Sequence, residues 1–155
     1  MASKIDFSEG FQALTGHKPL KWQSRLYDKF AADDIPAALT LPTGLGKSSV
    51  IPIWLIAIAT GGQLPRRMIY IVNRRTVVDQ ATDEVASLLK KIEQPATAGK
   101  SENVLSRLRD ALALIAGDSN AVPLAVSTLR GELADNGEWK QNPNIRPYHQ
   151  HNSHI

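Results

Sequence analysis

The stretch Ala37-Ala38-Leu39-Thr40-Leu41-Pro42-Thr43-Gly44-Leu45-Gly46-Lys47-Ser48 joins a short apolar run to a glycine-rich turn that ends in Lys-Ser, and the long apolar run Val50 to Ala59 follows it. Strand, phosphate-binding loop, helix is the order this pattern specifies. Glycines at 44 and 46 let the backbone curl, so successive N–H groups and the positive end of the next helix point at an anion. Lys47 supplies a point charge and is the residue expected to act catalytically on phosphate. The Ser48 hydroxyl stands where a magnesium ion bridging the outer phosphates needs an oxygen ligand. Thr43, Gly44, Leu45, Gly46, Lys47, Ser48 and Ser49 are therefore the expected binding residues for a nucleoside triphosphate with Mg2+. The strict pattern asks for glycine where this chain has Leu41, so the loop is a variant.

Working outward, Leu20 to Ala31 has helical spacing, with Trp22, Leu26, Phe30 and nearby Tyr27 on an apolar face. Asp33-Asp34-Ile35-Pro36 breaks it, a strand over 37–41 follows, Lys47 opens a helix, and Gly61-Gly62 closes that helix. Pro52 inside it predicts a kink at the Ser48 carbonyl. Met68 to Val72 reads as a second strand, and Val77, Val78, Ala81, Val85, Leu88, Leu89 and Ile92 as the apolar face of the helix after it. A helix over 102–116, with Leu105, Leu108, Leu112 and Ile115 on one face, precedes a third strand over 123–128. Alternating strands and helices of this size predict an α/β, three-layer P-loop NTPase (RecA-like) fold with a mostly parallel sheet, incomplete at this length.

A chain of 155 residues with 43% hydrophobic content suits one domain with a real core. It has no cysteine, which excludes disulfides and zinc–thiolate sites and makes the cytoplasm the expected compartment. The N-terminus carries no apolar stretch of signal-peptide length and the longest apolar run is too short for a bilayer, so no membrane role is expected. A net charge of +3 permits a nucleic-acid partner. Arg66, Arg67, Arg74 and Arg75 bracket the second strand and place two guanidiniums at its C-terminal end, where open α/β sheets bind ligands.

Upstream, Leu14-Thr15-Gly16 leads to Trp22-Gln23. A carboxamide offers one acceptor and two donors, which matches the Hoogsteen edge of adenine, so Gln23 favours ATP over GTP. Together with Leu41 to Ser48, Ile53-Trp54-Leu55, the run Asn73-Arg74-Arg75-Thr76-Val77-Val78-Asp79-Gln80, Ser127-Thr128-Leu129-Arg130-Gly131 and Glu138-Trp139, these segments resemble the type I CRISPR-associated helicase-nuclease, a superfamily 2 helicase. The resemblance spans about residues 11–147. It implies the first part of a RecA-like ATP-binding domain over 1–147, DNA-backbone contacts at Arg74, Arg75, Thr76, Thr128, Arg130 and Gly131, and single-stranded DNA and a Cascade-type effector complex as partners of the full helicase.

Such a motor hydrolyses ATP with an Asp-Glu-x-His or Asp-Glu-x-Asp segment at a strand end, and this chain has none. Asp83-Glu84 lies inside an amphipathic helix and reads as its solvated face. The second RecA-like domain with its arginine finger is absent as well. ATP binding without turnover is thus expected of the chain alone. A non-catalytic nucleotide- and DNA-binding fragment, or a stand-alone P-loop ATPase or kinase, is the alternative. Residues 148–155 read as a polar, disordered tail, in which His149, His151 and His154 lack the fixed geometry of a metal site.

Overall fold

The computed structural model describes residues 5–72, 75–93, 100–117, 126, 129–130 and 133–134. At its centre is a helix with no charged side chain, Val50–Ala59, in which every residue from Ile51 to Ile58 is buried. A helix apolar on all sides has to be surrounded. Three helices do this: Phe7–Thr15 (α1), Lys21–Ala31 (α2) and Lys100–Ala116 (α5) all pack on Val50–Ala59 (α3), while Arg75–Glu93 (α4) lies against α1 and α5. Leu14, Ile53, Leu55, Ile56, Ile92 and Leu108 are the largest fully buried side chains, so each of α1, α3, α4 and α5 contributes to one shared core. Burying each is worth about 1.5–3 kcal/mol relative to exposure.

Local chemistry sets the helix ends. Asp6 caps α1 by accepting the Glu9 N–H at 3.0 Å, and Gly16, at φ 82°, ends it with its N–H on the Gln12 carbonyl. Gly62 closes α3 by donating to the Ala57 carbonyl at 2.9 Å, after Gly61 at φ 103°. The Thr60 hydroxyl bonds back to Ile56 and also meets the Tyr27 hydroxyl at 3.1 Å, and Tyr27 stacks on Phe7 with ring centroids 4.2 Å apart. Those contacts fasten α1, α2 and α3 at one end.

The expected α/β fold is not found. The described residues form five α-helices, one 3-10 turn over Lys47–Ser49 and a single antiparallel pairing, Leu129–Arg130 (β1) with Leu133–Ala134 (β2). No parallel sheet occurs among them. Residues 37–41 and 68–72 are not assigned as strand, and Leu39, Ile69, Tyr70 and Ile71 are exposed, Ile71 by 81%. The apolar face of α3, which a P-loop fold lays on its sheet, is taken up by helices instead. Without neighbours to complete a ladder, a five-residue apolar run gains nothing from strand geometry.

Pro52 also departs from expectation. Lys47–Ser49 form a 3-10 turn that runs into α3, so Pro52 is the third residue of the α-helix and falls in its first turn. The N–H it lacks belongs to the group of four that an α-helix leaves unpaired at its start. The expected third strand lies outside the described residues except for Val126, as does the tail over 148–155.

Candidate nucleotide site

The glycine-rich loop has the backbone its sequence requires. Gly44 sits at φ 85° and Gly46 at φ 66°, left-handed values that glycine adopts without strain. Among the described residues, the N–H groups of Gly44 and Gly46 donate to no carbonyl, while Thr43–Gly44 form a turn that brings the Leu45 N–H toward the Pro42 carbonyl. Residues 42–47 are exposed, whereas Ser48 and Ser49 are half-buried where the 3-10 turn enters the core. The loop thus offers unpaired donors at the mouth of a helix.

Gln23 holds this loop from below. It is 5% exposed, the one buried polar residue among those described. Its Oε1 accepts the Leu20 N–H at 2.7 Å at the start of α2, and its Nε2 donates to the Ser49 hydroxyl at 2.7 Å. Ser49 Oγ in turn donates to the Gly46 carbonyl. One carboxamide hydrogen and one lone pair of Gln23 remain for a ligand. The adenine contact expected from the sequence therefore shares this side chain with a structural tie that sequence spacing did not reveal.

A cavity of about 560 Å³ opens beside the loop. Gly44, Leu45, Gly46, Ser48 and Ser49 form one wall, and Thr15, His17, Lys18, Leu20 and Gln23 a second. The third belongs to α4, through Glu84, Ser87, Leu88 and Lys91. Lys91 is pinned, with Nζ donating to the Leu14 carbonyl at 2.6 Å near the C-terminus of α1. That bond ties α4 to α1 and places a cation on a carbonyl that the helix leaves unpaired.

The expected site residues are not all brought together. Thr43 and Lys47 are exposed and stand outside the cavity lining. Arg75 and Thr76 open α4, with Thr76 exposed. Arg74, Thr128 and Gly131 lie outside the described residues, and Arg130 is known by its backbone pairing with Leu133. The strand over 68–72, whose C-terminal end was to present Arg74 and Arg75, is not formed. Sequence reasoning missed the α4 wall. Its signal was available, because Glu84, Ser87, Leu88 and Lys91 follow helical spacing and share one side of α4.

No group of three or more His, Cys, Asp or Glu among the described residues stands close enough to hold a metal ion by itself. No helix among them is long and apolar enough to cross a membrane. No family model, curated protein or solved structure matches the chain. The resemblance to the type I CRISPR-associated helicase-nuclease is accordingly overturned: no solved structure matches the chain, and the described residues form helices with no parallel sheet, which a RecA-like domain requires.

Proposed function

We propose that the chain binds a nucleoside triphosphate, ATP with Mg2+, on the loop from Thr43 to Ser49. The observation that carries this reading is the loop itself: left-handed Gly44 and Gly46, whose N–H groups donate to no carbonyl among the described residues, and an adjoining cavity of about 560 Å³. That volume falls in the range of small-molecule sites. The phosphates would lie on the N–H groups of residues 44–46. Lys47 carries a flexible four-carbon stem whose ammonium makes no hydrogen bond or ion pair among the described residues, so it can fold over them. The Ser48 hydroxyl, at the cavity wall, would complete the coordination of a Mg2+ ion held chiefly by phosphate oxygens. When bound, that ion neutralises phosphate charge. Gln23 would keep the loop in shape through Ser49 and offer its remaining donor and acceptor to the base.

The chain has no Asp-Glu-x-His or Asp-Glu-x-Asp segment, so the proposal is binding without hydrolysis by this chain alone. A second reading makes it the ATP-binding part of a motor on single-stranded DNA. The observation favouring it is that Arg75 and Thr76 open α4, the helix whose later residues Glu84 to Lys91 wall the cavity. One rigid element would then join the two ligands. A place in a CRISPR system, with a Cascade-type partner, came from the overturned resemblance and is not part of the proposal.

The test is titration with a fluorescent ATP analogue and Mg2+. Lys47→Ala should weaken binding tenfold or more, and GTP should compete less well than ATP. Undiminished binding in Lys47→Ala defeats the loop assignment. For the second reading, single-stranded DNA affinity that does not fall with salt or in Arg75→Ala removes the DNA role.

A further inference from the structure

We infer that Glu84 accepts hydrogen bonds from the ribose hydroxyls of the bound nucleotide. The inference rests on the ATP reading and deepens it, because it makes the site selective for a ribonucleotide.

Glu84 lines the same cavity as Gly44, Gly46 and Ser48, but from α4, an element separate in sequence from the loop. Its carboxylate makes no hydrogen bond or ion pair among the described residues. On its own helix, the positions three and four residues away are Gln80, Ala81, Ser87 and Leu88, none of them a cation. The next cation along that side of α4 is Lys91, whose Nζ donates to the Leu14 carbonyl at 2.6 Å; His17 and Lys18 line the same cavity, and neither forms an ion pair with Glu84 among the described residues. Glu84 is exposed, as expected of a solvated helix face, and brings an unpaired carboxylate to the open side of the cavity wall.

The chemistry of the cavity sorts the parts of a nucleotide. Phosphates belong at the loop, where N–H groups are free, and a carboxylate repels them. The base has the apolar side chains of Leu20 and Leu88 and the Gln23 carboxamide, all on the lining. What a carboxylate binds well is a neutral group with two adjacent O–H donors, and the ribose, between phosphates and base, is that group. Asp or Glu serves the same purpose on ribose hydroxyls in dinucleotide sites. Ser87, one turn along from Glu84 on the lining, adds a hydroxyl to this wall.

The experiment compares ATP and 2′-deoxy-ATP as competitors of a fluorescent ATP analogue, in the full chain and in Glu84→Ala, Glu84→Gln and Lys47→Ala, with circular dichroism to verify each fold. The unsubstituted chain should prefer ATP over 2′-deoxy-ATP about tenfold, the discrimination expected of one charge-assisted hydrogen bond. In Glu84→Ala the ratio should fall to about one, while inorganic tripolyphosphate competes as in the parent. Glu84→Gln, which keeps the shape but not the charge, should fall between. An unchanged ATP to 2′-deoxy-ATP ratio in Glu84→Ala, alongside weakened binding in Lys47→Ala, overturns the role of Glu84 and leaves the loop site standing. Failure of the parent chain to bind ATP, or full binding by Lys47→Ala, overturns the site and the role of Glu84 with it.

Discussion

Gln23 and Ser49 are joined by a 2.7 Å hydrogen bond, Nε2 to Oγ, between the first turn of α2 and the turn that opens α3. Because Gln23 also accepts from Leu20 and Ser49 also donates to Gly46, the loop carbonyl is connected through two side chains to the start of α2.

Removing that connection should cost stability as well as affinity. Gln23→Ala leaves the Leu20 N–H without its acceptor and should destabilise by about 1–3 kcal/mol. Ser49→Ala should cost less, and the double variant less than the sum of the two, with a coupling of about 0.5–3 kcal/mol. Denaturant melts of the four proteins measure this. Strict additivity would mean that the bond contributes nothing.

Gly62 is needed for space. A Cβ built there would come within 3.0 Å of the Ala57 carbonyl oxygen and 3.1 Å of the Phe30 carbonyl oxygen, both backbone atoms that cannot rotate aside. Gly62→Ala should therefore push α2 and α3 apart and cost about 1–3 kcal/mol. Gly16→Ala is the comparison, since nothing lies within 4 Å and the penalty there is backbone strain at φ 82°, about 1–2 kcal/mol. Thermal melts combined with hydrogen exchange at the α2–α3 contact separate the two causes, and faster exchange there in Gly62→Ala alone is the expected result.

The centre of the core is α3. Ile53, with 0% exposure, should lose about 2–5 kcal/mol on truncation to alanine. Leu114, 82% exposed on α5, should change by no more than about 0.5 kcal/mol. Similar losses at both sites would contradict the placement of α3 inside the helices.

Exposed Ile69, Tyr70 and Ile71, in a segment assigned to neither helix nor strand, form an apolar strip of the kind that associates. Ile71→Lys should lower concentration-dependent self-association, read by light scattering, and leave the melting temperature within about 2 °C because so exposed a side chain adds little to the fold. A large loss of stability would show that Ile71 is buried.

The helices were legible because their signal is local. Leu26 and Phe30 of α2, Val85, Leu88 and Ile92 of α4, and Leu105, Leu108 and Leu112 of α5 recur at helical spacing and are all buried. α1 was just as readable, with Asp6 and Glu9 at its start and Phe7, Phe11 and Leu14 spaced along one face. The runs 37–41 and 68–72 do not form the expected strands because a short apolar run has no periodicity to distinguish a strand from an unpaired segment.

By itself, then, the sequence determined the glycine positions of the loop, whose φ values follow from the missing Cβ, and the apolar faces of the helices, which follow from residue spacing. Only the tertiary structure decided what covers α3, where Gln23 spends its hydrogen bonds, and that Glu84 and the loop line one cavity. Each of these depends on which distant segments meet. That choice is set by the burial of the whole chain and leaves no mark on any one window of residues.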